Sequence, residues 1–262
     1  MSITRLKAVL LQEFYITRNS LEIIIDLFFF SIMTTAVFGF VSLFLSGSVN
    51  SASAHYLLLG ILLWEIIRIS QYSISVGSLW NIWSRNLSNM FITPLSLKEF
   101  MVAYMISATV KASFTFIFIS LIATVIFDFN IFSIGIINLL LSFINLTIFS
   151  WTTGIIILGF IFRFGTRIQA LAWGLIFLFQ PLTAAFFPVK ILPAFLQVVA
   201  YTLPPTYVFE AARNALTNPS VNWNFVGIAL LQNIFYFLIS IWFFNIMFNK
   251  SKDSGQFSRM EG

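Results

Sequence analysis

The sequence predicts an all-α membrane protein with six transmembrane helices, an N-terminal interfacial amphipathic helix and a re-entrant helical hairpin before the last span. Three observations predict it. Of the 262 residues, 59% are hydrophobic and only 9% charged, too little polar surface to coat a soluble domain of this size. Apolar runs near the ~20 residues needed to cross a bilayer recur at 27–46, 56–79, 100–127, 132–162, 168–187 and 224–248. Between the last two lies QPLTAAFFPVKILPAFLQVVAYTLPPTYVFEAARNAL, residues 180–216, too interrupted by proline to span and too apolar for water.

The chain reads as a single transmembrane domain, 1–262, built from an interfacial segment (1–22), a six-span bundle (27–248) and a polar tail (249–262) expected to be disordered. Its first residues mix both charge signs before any long apolar run, unlike a cleavable signal sequence, so the N-terminus is expected to be kept. Residues 3–18 form a helix with Ile3, Leu6, Val9, Leu10 and Phe14 on one side and Thr4, Arg5 and Gln12 on the other, with Lys7 and Glu13 intruding. It either lies flat on the cytoplasmic leaflet or extends the first span, and Asn19-Ser20 followed by Glu22 favours a helix restart and therefore the flat helix.

Between spans two and three, Trp80 and Trp83 mark the membrane interface. A short polar helix carrying Arg85, Asn86 and Asn89 follows, ended by Thr93-Pro94, and is either a docking element or an ordinary interfacial turn. Ser96 with Glu99 has the spacing of a capping box opening span three. Span four is rich in Asn138, Asn145, Thr147, Ser150, Thr152, Thr153 and Gly154, the residue types that hold membrane helices together, and is a candidate dimer or cavity face. In 180–216, Pro181, Pro188, Pro193, Pro204 and Pro205 leave room for two short helices, about 191–201 and 206–216.

Six spans put both termini on one side of the membrane. Arg5, Lys7, Arg18, Arg85, Lys98, Arg163, Arg167, Lys250, Lys252 and Arg259 fall on that side, whereas the opposite loops carry only Lys190 and Arg213, so the termini are expected in the cytoplasm. The basic residues are scattered beside the membrane rather than gathered in a patch, which argues for anionic lipid headgroups and against nucleic acid. No cysteine and a single histidine, His55, argue against disulfides, redox chemistry and metal sites.

Charges inside spans are functional candidates, and Glu65, Arg68 and Lys111 are the ones here. Glu65 can pair with Arg68 or with Lys111; the same residues can line a substrate path or relay protons. Trp64, Tyr104 and Trp151 are either aromatics of that path or packing residues.

Two segments, SRNLSNMFITPLSLKEF and FQPLTAAFFPVKILPAFLQVVAYTLPPTYVFEAAR, resemble the type-2 ABC exporter permease family of polysaccharide, teichoic-acid, nodulation-factor and drug-resistance exporters. The resemblance covers nearly the whole chain, and Pro188, Leu192-Pro193, Pro204, Tyr207, Glu210 and Arg213 match the family's pattern before the last span. It implies a homodimeric permease of a bacterial or archaeal cytoplasmic (inner) membrane, bound to two cytoplasmic ABC ATPase subunits that carry the ATP and Mg, with no cofactor on this chain. The substrate would be an amphipathic polysaccharide, glycolipid or lipophilic drug. Arg85, Asn86, Leu87, Asn89, Met90 and Phe91, with Arg163 and Arg167, would dock the ATPase; Pro188, Pro193, Pro204, Pro205, Tyr207, Glu210 and Arg213 would form the outer gate, where Glu210 and Arg213, spaced i, i+3, form either a gate pair or a structural staple. The chain's own residues agree that it is no ATPase, since none of its six lysines follows a glycine as a phosphate-binding loop requires. The competing expectations are an ion- or proton-driven secondary transporter, which calls for breaks in both halves, and a membrane enzyme, which calls for clustered Asp, His or Ser at one depth. Only the C-terminal half carries a break, and the nine acids lie mostly at the margins.

Overall fold

Asn19-Ser20 divides the N-terminal helical run as its residue types dictate. Helix α1 (Ile3–Asn19) stops there, and extended Ser20 accepts a hydrogen bond from Ile23 N at 3.3 Å to start α2 (Leu21–Ile24). A π-helical segment, Ile25–Phe29, carries the helix on into α3 (Phe30–Ser48). The computed structural model describes residues 1–48 and 51–254, apart from the side chains of residues 48, 51–53 and 88. Of the predicted tail, residues up to Asp253 continue the last helix; Arg259 and its neighbours lie outside the described residues.

The described residues form helices and loops with no strand. Among them five helices are long and apolar enough to cross a membrane: Leu21–Gly47, Ala54–Trp83, Leu97–Phe127, Ile136–Ile168 and Trp223–Asp253. They coincide with predicted spans one to four and six. The axis is α4 (Ser51–Trp83): 89% of its apolar window is buried, against 17% for the last helix, so the other helices pack around it.

After α4, Arg85 takes a left-handed turn (φ 55°) into α5 (Leu87–Ile92), which Thr93-Pro94 ends as expected. Helix α6 (Leu97–Phe127) opens with the predicted capping box, Glu99 N donating to Ser96 Oγ and Ser96 N to Glu99 Oε2. A 3-10 turn precedes α7 (Ile136–Phe164), whose polar residues face inward. Asn233 of α11 (Trp223–Asp253) donates to Asn145 O at 3.0 Å, and Asn138 donates to Pro219 O at 2.8 Å, so these side chains join α7 to its own chain rather than forming a dimer or cavity face.

Within the predicted span 168–187 the helix is α8 (Leu171–Leu182), apolar but only 12 residues long. At ~1.5 Å per residue it covers about 18 Å of a ~30 Å hydrocarbon core. Pro181 in its last turn and Ala184 with φ 51° stop it early. Gly60 of α4 admits the turn that follows, because a Cβ there would lie 2.1 Å from Ala185 O. Then come α9 (Ala194–Ala200) and α10 (Pro204–Thr217), close to the two short helices expected between the prolines. Pro204 and Pro205 occupy the first turn of α10, where a missing amide hydrogen costs no helical bond.

Candidate functional site

Along one stripe of α4 the sequence sets Trp64, Glu65, Arg68, Gln71 and Tyr72 at helical spacing. They floor a groove of about 290 Å³ between α3, α4 and α8. Arg68 donates through Nε to both Glu65 carboxylate oxygens (3.0 and 3.1 Å) and through Nη2 to Glu65 Oε2 (2.6 Å) and Ser31 Oγ (2.8 Å). Ser31 Oγ in turn lies 2.7 Å from Glu65 Oε2. Asp26 accepts from Tyr72 Oη, and Gln71 donates to Ala172 O at 3.0 Å, so polar bonds tie α4 both to the first spanning helix and to α8. Phe30 of α3 and Phe177 of α8, each 50% exposed, form the lips, which makes the groove open sideways. Trp83 stacks on Trp173 at one end (ring centroids 6.2 Å) and donates from Nε1 to Gln169 Oε1 at 3.3 Å.

Glu65 and Arg68 are thus brought together as one of the two expected pairings. Lys111 does not join them. It donates to Glu13 Oε2 of α1 at 3.2 Å, because α1 docks along the flank of α6 and brings a buried carboxylate to it. The polar face assigned to α1 is corrected in the same way. Arg5 and Gln12, expected to face away, are contact residues: Arg5 grips Glu99 through Nε and Nη2, and Gln12 donates to Asn81 Oδ1 at 2.7 Å. Of the expected apolar face, Val9 is buried and Leu6 and Leu10 pack on the core, whereas Ile3 and Phe14 are exposed, as a face turned to lipid requires. Interhelical polar bonds and this packing together set the helix's rotation.

Of the aromatics, Trp64 lines the groove; its buried Nε1 has no hydrogen-bond partner among the described residues. Tyr104 is fully buried against Asn81 and Phe100, and Trp151 meets Phe237 of α11, so these two are packing residues. Asp26, Ser31, Gln71, Tyr72 and Gln180 were not singled out by the sequence. The stripe spacing on α4 points to Gln71 and Tyr72, but a lone acid just ahead of a span reads as an interfacial residue.

No protein-family model matches this chain and no curated protein matches it significantly.

The predicted docking residues separate into two groups. Arg85 and Asn89 are exposed and Asn86 is half-buried, whereas Leu87 and Met90 are buried and Phe91 packs on Phe100 and Phe248. Leu87, Met90 and Phe91 therefore anchor α5 and present the polar residues outward. Arg163 donates to Ser254 Oγ at 3.0 Å, joining the end of α7 to the end of α11, while Arg167 is exposed.

At the far end of α4, the predicted gate residues make a staple. Arg213, 3% exposed, donates to Ala184 O (3.0 Å), Ala185 O (3.3 Å) and Glu210 Oε1 (2.9 Å), and Glu210 Oε1 also receives Val189 N at 2.8 Å. The pair satisfies backbone groups freed where α8 breaks. Burial pulls the Arg213 guanidinium below its ordinary value, and the Glu210 carboxylate opposes that pull. Pro188 and Tyr207 are half-buried beside it, and the Tyr207 ring meets Tyr201 at a tilt of 52°, centroids 5.4 Å apart.

Proposed function

We propose that the chain is the permease subunit of an ATP-driven exporter that moves an amphipathic substrate outward across a bacterial or archaeal inner membrane, with the ATPase on a separate chain. The groove carries this reading. A buried ion pair, an acid, two amides and several aromatic rings line one flank of an otherwise apolar bundle and open sideways. Polar groups held at membrane depth are costly unless they line a pathway or are covered by protein. A second copy facing the groove would enclose it, leaving a channel with polar and aromatic walls that suits an amphipathic cargo.

In this reading α8 and the segment that follows it to Pro188 make the fifth of six crossings, and α9 with α10 is a re-entrant hairpin at the outer mouth. The basic residues of α1, the α4–α6 connection and the α7–α8 connection put both termini in the cytoplasm. Arg85, Asn86 and Asn89 then face the ATPase on a short helix rooted in the core, so that closure of the ATPase pair pushes on the ends of α4 and α6 and biases the bundle between two packings.

The test is native purification from the source membrane, followed by ATP hydrolysis in vesicles. A stoichiometric P-loop ATPase is expected, and Arg85→Asp with Asn86→Asp should uncouple its hydrolysis from transport while insertion stays normal. Intact complexes that repeatedly lack an ATPase would overturn the proposal in favour of ion-driven transport.

A further inference from the structure

The end of α4 opposite α5 holds a second cavity, of about 260 Å³, between the start of α4, the turn at 188–190 and α10. Its lining is unlike that of the groove. Tyr56 and Tyr201 contribute aromatic rings, Lys190 and Arg213 cations, Glu210 an acid and Asn214 an amide. Arg213 spends its terminal nitrogens on Ala184, Ala185 and Glu210, and its buried Nε has no hydrogen-bond partner among the described residues. Glu210 is committed to Arg213 and to Val189 N, so its charge is balanced within the staple. That leaves the Lys190 ammonium, exposed and without an ion pair among the described residues, as the cavity's net charge. Tyr201 is 39% exposed and Asn214 is also exposed, so ring face and amide are both open to a ligand.

We propose that this cavity binds an acidic sugar, a pyranose ring carrying a carboxylate or phosphate. The anion lies against Lys190, the apolar face of the ring lies on Tyr201 or Tyr56, and Asn214 meets the ring hydroxyls. The volume holds one sugar unit, not a chain or a lipid tail. The site lies about 14 Å along α4 from Glu65, taking nine residues at ~1.5 Å each. Under the exporter reading, on which its physiological role rests, it holds an acidic unit of the cargo as it leaves.

The experiment uses the full chain in lipid nanodiscs without any ATPase, so its result is independent of whether an ATPase partner exists. Glucuronate, glucose and inorganic phosphate are titrated calorimetrically. Glucuronate should bind at least about tenfold more tightly than either of the others, because only it offers both the ring and the charge. Lys190→Glu should remove the preference for glucuronate over glucose, and Tyr201→Ala should weaken both sugars while leaving phosphate unchanged. Both substitutions are at exposed side chains, and unchanged melting temperatures certify that the variants fold. Equal binding of glucuronate and glucose, equal binding of glucuronate and phosphate, or indifference to both substitutions would each overturn the assignment. Loss of the acidic-sugar site would leave an exporter of uncharged cargo standing, and absence of an ATPase would leave a sugar site standing.

Discussion

Arg68 and Glu65 illustrate how much a single side chain can decide in this molecule. Glu65 is 1% exposed and Arg68 13%, and Ser31 completes the set of short bonds between them. A buried pair of this kind adds little net stability, because desolvation of both charges offsets their attraction, but losing one partner strands the other. Arg68→Met alone should therefore destabilise the chain by about 3 kcal/mol. Arg68→Met combined with Glu65→Gln should cost clearly less than the sum of the two single changes. Reversible denaturation of the purified protein in mixed micelles measures all three variants. Additive effects would mean that the two residues act separately, and the groove would lose its electrostatic centre.

At the scale of helices, α1 is the element whose attachment rests most on charge. Val9 is its one buried apolar residue, with Leu6, Leu10 and Ile16 packed more loosely on the core; three polar contacts complete its grip, Arg5 on Glu99, Gln12 on Asn81 and Glu13 on Lys111. Lys111→Met leaves the Glu13 carboxylate, 2% exposed, without its cation. Amide hydrogen exchange across 3–19 should then rise on the order of tenfold while α6 stays protected, and adding Glu13→Gln should restore much of the protection. Unchanged exchange would show that α1 is held by apolar contact instead. The sequence marked the helix and its end at Ser20 but not its rotation, because local spacing reports partners three or four residues away and Glu13 lies 98 residues from Lys111. The length of α8 was hidden for a related reason. Residues 168–187 are predominantly apolar, and what stops the helix is Pro181 together with a left-handed Ala184 whose carbonyl Arg213 caps from another element. The Glu65–Arg68 pairing, the capping box at Ser96 and the two helices of the proline-rich block were legible, since each is specified by residues within one turn of one another.

For the whole molecule the decisive question is what faces the groove. A single chain leaves it open between α3 and α8, with Phe30, Trp173 and Phe177 at the lips and the Glu65–Arg68 pair behind them. The outer faces of α6 and α11 are continuously apolar and carry no such lining, as lipid contact requires: Phe114, Ile117 and Val125 of α6 and Phe235, Leu238 and Trp242 of α11 are all exposed. A two-fold axis beside the groove would bring the lips of two copies together and leave the faces of α6 and α11 to lipid. The absence of cysteine makes this directly measurable, since any introduced thiol is unique. Phe177→Cys and Phe30→Cys should give disulfide-linked dimers on mild oxidation in native membranes, because symmetry places each residue near its own counterpart at such an interface. Ile117→Cys on α6 should stay monomeric under the same conditions. Cross-linking through α6 but through neither lip would put the groove against lipid and remove the argument that it is a pathway shared by two copies.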